Sequence, residues 1–221
     1  MCGIYGSTCF DKFKQLYNSN TTRGNFANGH VFIGKDRPTL HISKSPGIKK
    51  YTAPPKDSIE IYLGHTQSPT GSVRDFHPAT THPFENKNWV IAHNGIINNF
   101  NKLKEDYVPY HKCNVDSSIV MSLLEMYHVS RHTVEENHKN VQRVLNMLSG
   151  TYGIFMYSKI HNILYVARSG STMYYDPVDV SFSSTKFTNM IELPEHTLYM
   201  IKDKQLHRLM NLSNDSSFLI L

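Results

Sequence analysis

The hydrophobic pattern of this chain passes from strand to helix and back to strand, and that order limits the folds open to it. Ile59, Ile61 and Leu63 alternate with Glu60 and Tyr62, the pattern of a half-buried strand that ends at Gly64-His65. Trp89-Val90-Ile91-Ala92 is a second apolar run, closed by the turn-favouring pair Asn94-Gly95. Asp116 stands as an N-cap ahead of Ile119, Val120, Leu123, Leu124 and Tyr127, which share one helical face. Thr133 and Glu136 form a capping box before Val141, Val144, Leu145 and Leu148, with Gly150 at the stop. Strand patterns then return. Tyr152–Tyr157 and Ile163–Ala167 read as a hairpin across Ile160-His161-Asn162, and Thr197–Ile201 and Gln205–Leu209 as another over Lys202-Asp203-Lys204. Helices between two groups of strands predict an α+β domain built of packed layers. The Pro- and Lys-rich stretch 43–58 reads as a surface loop. With no internal repeat or linker, residues 1–221 read as a single domain, with no room for a second module after Leu209.

Composition excludes several functions. No segment reaches the run of about 20 apolar residues that a membrane span needs, and the first residues lack the basic and apolar regions of a signal peptide. Three cysteines do not make a disulfide framework, so a cytoplasmic setting is expected. A net charge of +5 invites a nucleic-acid reading. However, Lys49-Lys50, Lys102-Leu103-Lys104 and Lys202-Asp203-Lys204 are scattered, without the interleaved aromatics of nucleic-acid binders. Nucleic acid is therefore not expected as a direct ligand. Among thirteen histidines, His128 and His132 have a metal-like spacing but lack the glutamate that would follow the first. His111 and Cys113 make half a site at most, and no metal is expected.

The chain begins Met-Cys-Gly-Ile-Tyr, and two readings of Cys2 stand open. Removal of Met1 would leave a thiol and a free α-amine on one residue. These titrate near 8.5 and 7.7–8.0, so the pair can act as nucleophile and base together. Alternatively, Cys2 is a small residue at the start of a buried strand, Gly3-Ile4-Tyr5-Gly6. Its company decides. Arg23-Gly24 follows, then Gly64-His65-Thr66 with Pro69-Thr70-Gly71, His82-Pro83-Phe84, His93-Asn94-Gly95-Ile96-Ile97-Asn98-Asn99 and Asn114-Val115-Asp116-Ser117. In this order the set resembles the class II glutamine amidotransferases, whose glutaminase domains use an N-terminal cysteine. Tyr152-Gly153, Ala167-Arg168-Ser169-Gly170 and Ser183-Ser184 echo the later part of such domains. The Gly-His-x-x-x-Pro-Thr form of the middle motif is nearest to the glutamine–PRPP amidotransferase branch.

The resemblance implies a four-layer αββα sandwich of the N-terminal-nucleophile (Ntn) hydrolase type. It implies that Cys2 forms a thioester with the side-chain carbonyl of glutamine, with its own amine as base and no cofactor. Asn94 and Gly95 would form the oxyanion hole, the preorganised donors that a poor electrophile such as a carboxamide requires. Asp116 would take the α-ammonium of glutamine, and Thr70 and Gly71 would line the pocket. Arg23 matches an arginine near the nucleophile and is expected at the substrate. His65, His82 and His93 are expected to hold loops rather than move protons. Ammonia would pass to a separate acceptor or synthetase subunit. One position departs from the pattern: the family carries an arginine two residues after the histidine of the middle motif, gripping the glutamine carboxylate, and this chain has Gln67. A neutral amide brings neither charge nor a bidentate fork. Either another cation substitutes, for which Arg74 is the candidate, or the substrate is another γ-glutamyl compound or small amide. A non-catalytic binding subunit that keeps the fold is the remaining alternative.

Overall fold

The computed structural model describes residues 1–35, 39–48, 58–68, 75–128 and 133–213. In chain order, its first half holds β1 (Gly3–Ser7), α1 (Phe10–Asn20), β2 (Ala27–Gly34), β3 (Leu40–Pro46), β4 (Ile59–Gln67), β5 (Phe84–Glu85) and β6 (Trp89–Ile97). Three helices follow: α2 (Phe100–Tyr107), α3 (Ser117–Met126) and α4 (Val134–Met147). The rest is β7 (Gly150–Ser158), β8 (Ile163–Ser169), β9 (Tyr174–Asp176), β10 (Ser181–Ser183), β11 (Ile191–Glu192), β12 (Thr197–Lys202) and β13 (Gln205–Asn211). The strands make two sheets, ordered β11-β9-β10-β1-β4-β2-β3 and β13-β12-β8-β7-β6-β5. Neighbours within each are antiparallel.

Successive strand residues point to opposite faces, and here both faces of each sheet are buried, the two inner faces in one shared core. Ile4, Val31, Ile33, Leu63, Val90, Ala92, Phe155 and Val166 face inward, where the two sheets pack on each other. Tyr5, Phe32 and Tyr62 point the other way and pack with Phe13, Leu16 and Tyr17 of α1. Trp89, Ile91, Ile154, Met156 and Tyr165 leave the second sheet on its far side and meet Ile119, Leu123, Val141 and Leu145 of α3 and α4. Three cores between four layers give the αββα sandwich.

The capping signals read from the sequence are present. Asp116 accepts from the Ser117 backbone N–H at 2.8 Å, and the Thr133–Glu136 box is closed from both sides. Asp203 and Lys204 both have positive φ, the geometry of a tight hairpin turn between β12 and β13.

Two expectations are corrected. Asn94-Gly95 does not end a strand; β6 runs through it to Ile97, paired with β7 along its whole length. Segment 43–58 is not wholly loop, because Ser43–Pro46 complete the edge strand β3, while 49–57 lie outside the described residues.

Candidate active site

Cys2 stands one residue before β1, which is buried between β4 and β10. The strand reading of the first residues is therefore right, and it delivers the thiol to the sheet's end rather than into the core. Gly3 makes the approach possible: a Cβ there would lie 2.6 Å from Thr66 Oγ1 and 2.7 Å from Asn20 Oδ1. Ser184 fixes the next residue, since its Oγ accepts from the Ile4 N–H at 3.1 Å and its N–H donates to the Ile4 carbonyl at 2.8 Å. Arg23 holds the backbone of Cys2 itself. Its Nε donates to the Cys2 carbonyl at 2.9 Å and its Nη1 to the Ser184 carbonyl at 3.4 Å. The thiol donates to the Ser68 carbonyl at 3.4 Å. Burial pushes that thiol up from its ordinary value, with Asp116 adding to the rise, while the hydrogen bond to Ser68, the N-terminal ammonium and Arg23 oppose it.

The thiol opens on a cleft of about 470 Å³. Gln67, His82, Gly95, Asn98, Phe100 and Asp116 are among its walls. Gly95 has φ +142°, and a Cβ on it would sit 2.0 Å from the Thr151 carbonyl oxygen, so only glycine serves there. Asn94 beside it is 5% exposed; its Nδ2 donates to Ser184 Oγ at 3.3 Å and its carbonyl accepts from Ser171 Oγ at 3.2 Å. Asp116 joins two elements: Oδ1 caps α3 at Ser117, while Oδ2 accepts from the Ile97 N–H at 2.8 Å at the end of β6. Each carboxylate oxygen can accept twice, so capacity remains on the cleft side.

Buried histidines support this floor. His93 Nε2 is 3.2 Å from the Thr151 carbonyl, so it carries the proton, and Nδ1 accepts from Ser117 Oγ at 2.8 Å. His65 Nε2 donates to the His93 carbonyl at 3.2 Å, and its ring packs against that of His82, centroids 4.1 Å apart and tilted by 31°. Desolvation lowers the pKa of His93 and pushes that of His65 down to about 3. His30, packed under α1 with Nε2 3.2 Å from Tyr5 Oη, is likewise pushed down to about 3 by burial. An unfolded histidine titrates near 6.5, so below that pH the unfolded chain holds protons that the folded one refuses. Stability is expected to be level above about pH 6.5 and to fall below it, by up to about 1.4 kcal/mol per pH unit per histidine. Urea unfolding from about pH 7.5 to about pH 5 measures the slope, and His65→Gln should flatten it. Equal midpoints across that range would contradict the assignment.

Two kinds of comparison with known proteins bear on this geometry, while no model of a known family matches the chain. Glutamine–fructose-6-phosphate aminotransferase of Listeria monocytogenes is 27% identical over 181 residues, covering 78% of this chain and 30% of that protein. The Staphylococcus aureus protein of the same name is 24% identical over 182 residues, with the same shares. The chain thus spans about a third of the length of these relatives. In structure, glutamine phosphoribosylpyrophosphate amidotransferase from B. subtilis superposes with TM-score 0.75 at 16% identity, over 97% of this chain and 50% of that one. A glutamine aminotransferase class-II domain protein from Silicibacter pomeroyi gives TM-score 0.56 at 13% identity, over 96% and 100%.

The chain is similar in sequence to the glutamine–fructose-6-phosphate aminotransferases and shares its fold with glutamine amidotransferase domains of class II. The structure brings together Cys2, Gln67, Gly95 and Asp116 around one cleft. Asn94 and Arg23 stand behind it, each bonded to Ser184. Thr70, Gly71 and Arg74 lie outside the described residues. His111, weighed in the sequence as a metal ligand, has both ring nitrogens 2.8 Å from serines, Ser122 and Ser118. Cys9 and Cys113 are half-buried. Sequence reasoning gave no role to Ser68 or Ser184. Ser68 acts through its carbonyl, which leaves no trace in residue type. Ser184 was visible only as the end of a Ser-Ser pair.

Among the described residues no helix is long and apolar enough to cross a membrane.

Proposed function

We propose that residues 1–221 act as one glutaminase domain that hydrolyses the side-chain amide of glutamine through Cys2 and yields ammonia for a separate acceptor enzyme. The observation that carries the proposal is the placement of the Cys2 thiol in a cleft shared with Gly95 and Asp116, at the end of a strand whose start Arg23 and Ser184 hold in position.

Met1 is removed, and the freed α-amine of Cys2 takes the thiol proton. The thiolate attacks the amide carbon, and the charge that develops on oxygen is met by the Gly95 N–H and the Asn94 amide. Collapse of that intermediate expels ammonia, which leaves with the proton held by the amine, and Cys2 carries a γ-glutamyl thioester. Water activated by the same amine then cleaves the thioester to a carboxylate and restores the thiol. Arg23 is a positioning residue: its guanidinium aligns the Cys2 carbonyl and, with it, the reacting amine. The reaction as written draws on no cofactor and no metal.

Asp116 takes the substrate α-ammonium. Asp116→Asn keeps an N-cap but removes the charge, and a hydrogen bond to a charged group contributes about 1.5–3 kcal/mol. KM is therefore expected to rise roughly tenfold to a hundredfold with kcat little changed. A loss confined to kcat in steady-state kinetics would place Asp116 in the chemistry instead. An intact mass lacking one methionine checks the processing step.

A further inference from the structure

We propose that Ser171, held from behind by Arg168, is a positioning residue of the oxyanion hole: it fixes the Asn94–Gly95 peptide and so aims the Gly95 N–H. The inference rests on the glutaminase reading above and adds a residue to its machinery.

The strand registers bring the pieces together. Asn94 and Gly95 are opposite Gly153 and Tyr152 of β7, and Arg168 of β8 is opposite the same Gly153 from the other side. Past Ser169 the chain turns at Gly170, at φ +62°, and bridges to Tyr152. Residues 171–173 then pass over Gly153, where a Cβ would lie 3.3 Å from Met173 Cε and 3.8 Å from Ser171 Cβ. With no side chain in between, Ser171 Oγ reaches the Asn94 carbonyl and donates to it at 3.2 Å. Arg168, 8% exposed, fixes the turn from behind. Its Nη1 donates to the Ser171 carbonyl at 3.1 Å and to Glu195 Oε1 at 3.0 Å. Its Nη2 pairs with Glu192 at 3.0 Å, and its Nε donates to the Leu193 carbonyl. Ser171 is thus tied at its carbonyl and again at its hydroxyl.

What the hydroxyl holds is a peptide plane. In a trans peptide the N–H points opposite to the carbonyl of the preceding residue, so aiming the Asn94 oxygen aims the Gly95 N–H. Glycine restricts that plane least of all residues, so an external hold matters at Gly95. The same bond polarises the peptide. As the oxyanion forms, the Gly95 N–H donates more strongly and the Asn94 oxygen gains electron density, which strengthens the bond from Ser171. That gain comes only with attack, so it belongs to kcat and not to KM.

Ser171→Ala is expected to lower kcat about three- to tenfold, the worth of one neutral hydrogen bond, with KM for glutamine unchanged. Ser171→Thr keeps a hydroxyl and should restore most of the rate. On an Asn94→Ala background, Ser171→Ala should lower kcat by the same factor again, because the carbonyl of residue 94 and the Gly95 N–H are still present. Thr172 Oγ1, in the same turn, donates to the Ser184 carbonyl at 2.8 Å. A loss that vanishes on the Asn94→Ala background would therefore route Ser171 through Ser184 and the Asn94 side chain, and it overturns the proposal. A lower melting temperature with kcat unchanged, or a loss that threonine does not restore, overturns it as well. The amide resonance of Gly95 in isotope-labelled Cys2→Ala protein reads the link without catalysis. Adding Ser171→Ala should displace it, and Ser171→Thr should return it toward its place; a resonance that stays put ends the inference. If the unmutated protein releases no ammonia in a Cys2-dependent way, the glutaminase reading fails, and that resonance alone decides whether Ser171 holds the peptide.

Discussion

Cys2→Ala is expected to abolish ammonia release, by a factor on the order of 10⁴ or more, while leaving the fold intact. The size of the effect follows from the chemistry. Hydrolysis by this route needs a covalent acceptor for the acyl group, and no other described side chain bonded at the end of β1 is a nucleophile of comparable strength. The fold should survive because the residue is half-buried and precedes the strand, so truncation removes one sulfur contact, to the Ser68 carbonyl. Cys2→Ser should be nearly as inactive, since a hydroxyl at the same site is far less ionised than the thiol. A glutamine-like diazoketone should label one site, in the N-terminal peptide. Cys9 and Cys113 are also half-buried thiols, so labelling compares like with like. Modification at either of them, with full activity in Cys2→Ala, would end the N-terminal-nucleophile proposal.

The parts of the fold that were legible in the sequence are those whose signals are local. The caps at Asp116 and Thr133 depend on a few adjacent residues and are present as read. Asn-Gly pairs mislead for the opposite reason. Asn28-Gly29 and Asn94-Gly95 both favour turns by type, yet both lie inside paired strands. What glycine supplies there is absence of a side chain: Cβ atoms at Gly29 and Gly95 would each lie 2.0 Å from a carbonyl oxygen, of His82 and Thr151. Those neighbours are 53 and 56 residues away in the chain and cannot be inferred from the pair itself. Helix α1 was missed although Phe10, Phe13, Leu16 and Tyr17 carry a helical spacing. Cys9 gives no side-chain cap, and Lys12 breaks the apolar pattern by being buried, 2.9 Å from Asp176 and 3.5 Å from Asp179. The site divides in the same way. Cys2, Gly95, Asp116 and the departure at Gln67 are side-chain choices and can be read; the Ser68 carbonyl and the clamp of Ser184 on Ile4 are tertiary events and cannot.

Asn94→Ala is the second large expected effect and the one that tests the oxyanion hole. Losing one such donor typically lowers kcat about 10²- to 10³-fold, because the oxyanion exists only after attack. KM should hardly move, since the ground-state carbonyl gains little from the same amide. The free structure sharpens this expectation. Asn94 Nδ2 is held 3.3 Å from Ser184 Oγ, which also accepts from Ile4 N–H, so one Nδ2 proton is engaged and the other is available to the substrate. Ser184→Ala keeps the Asn94 amide but releases its anchor and the side-chain contact to β1. It should therefore lower kcat by less than Asn94→Ala and also lower the melting temperature, whereas Asn94→Ala acts mainly on kcat. In the double variant the two losses should not add, because a donor that is gone no longer needs orienting. Full additivity, or an Asn94→Ala enzyme altered only in KM, would move Asn94 out of the oxyanion hole and leave the Gly95 N–H as its remaining donor.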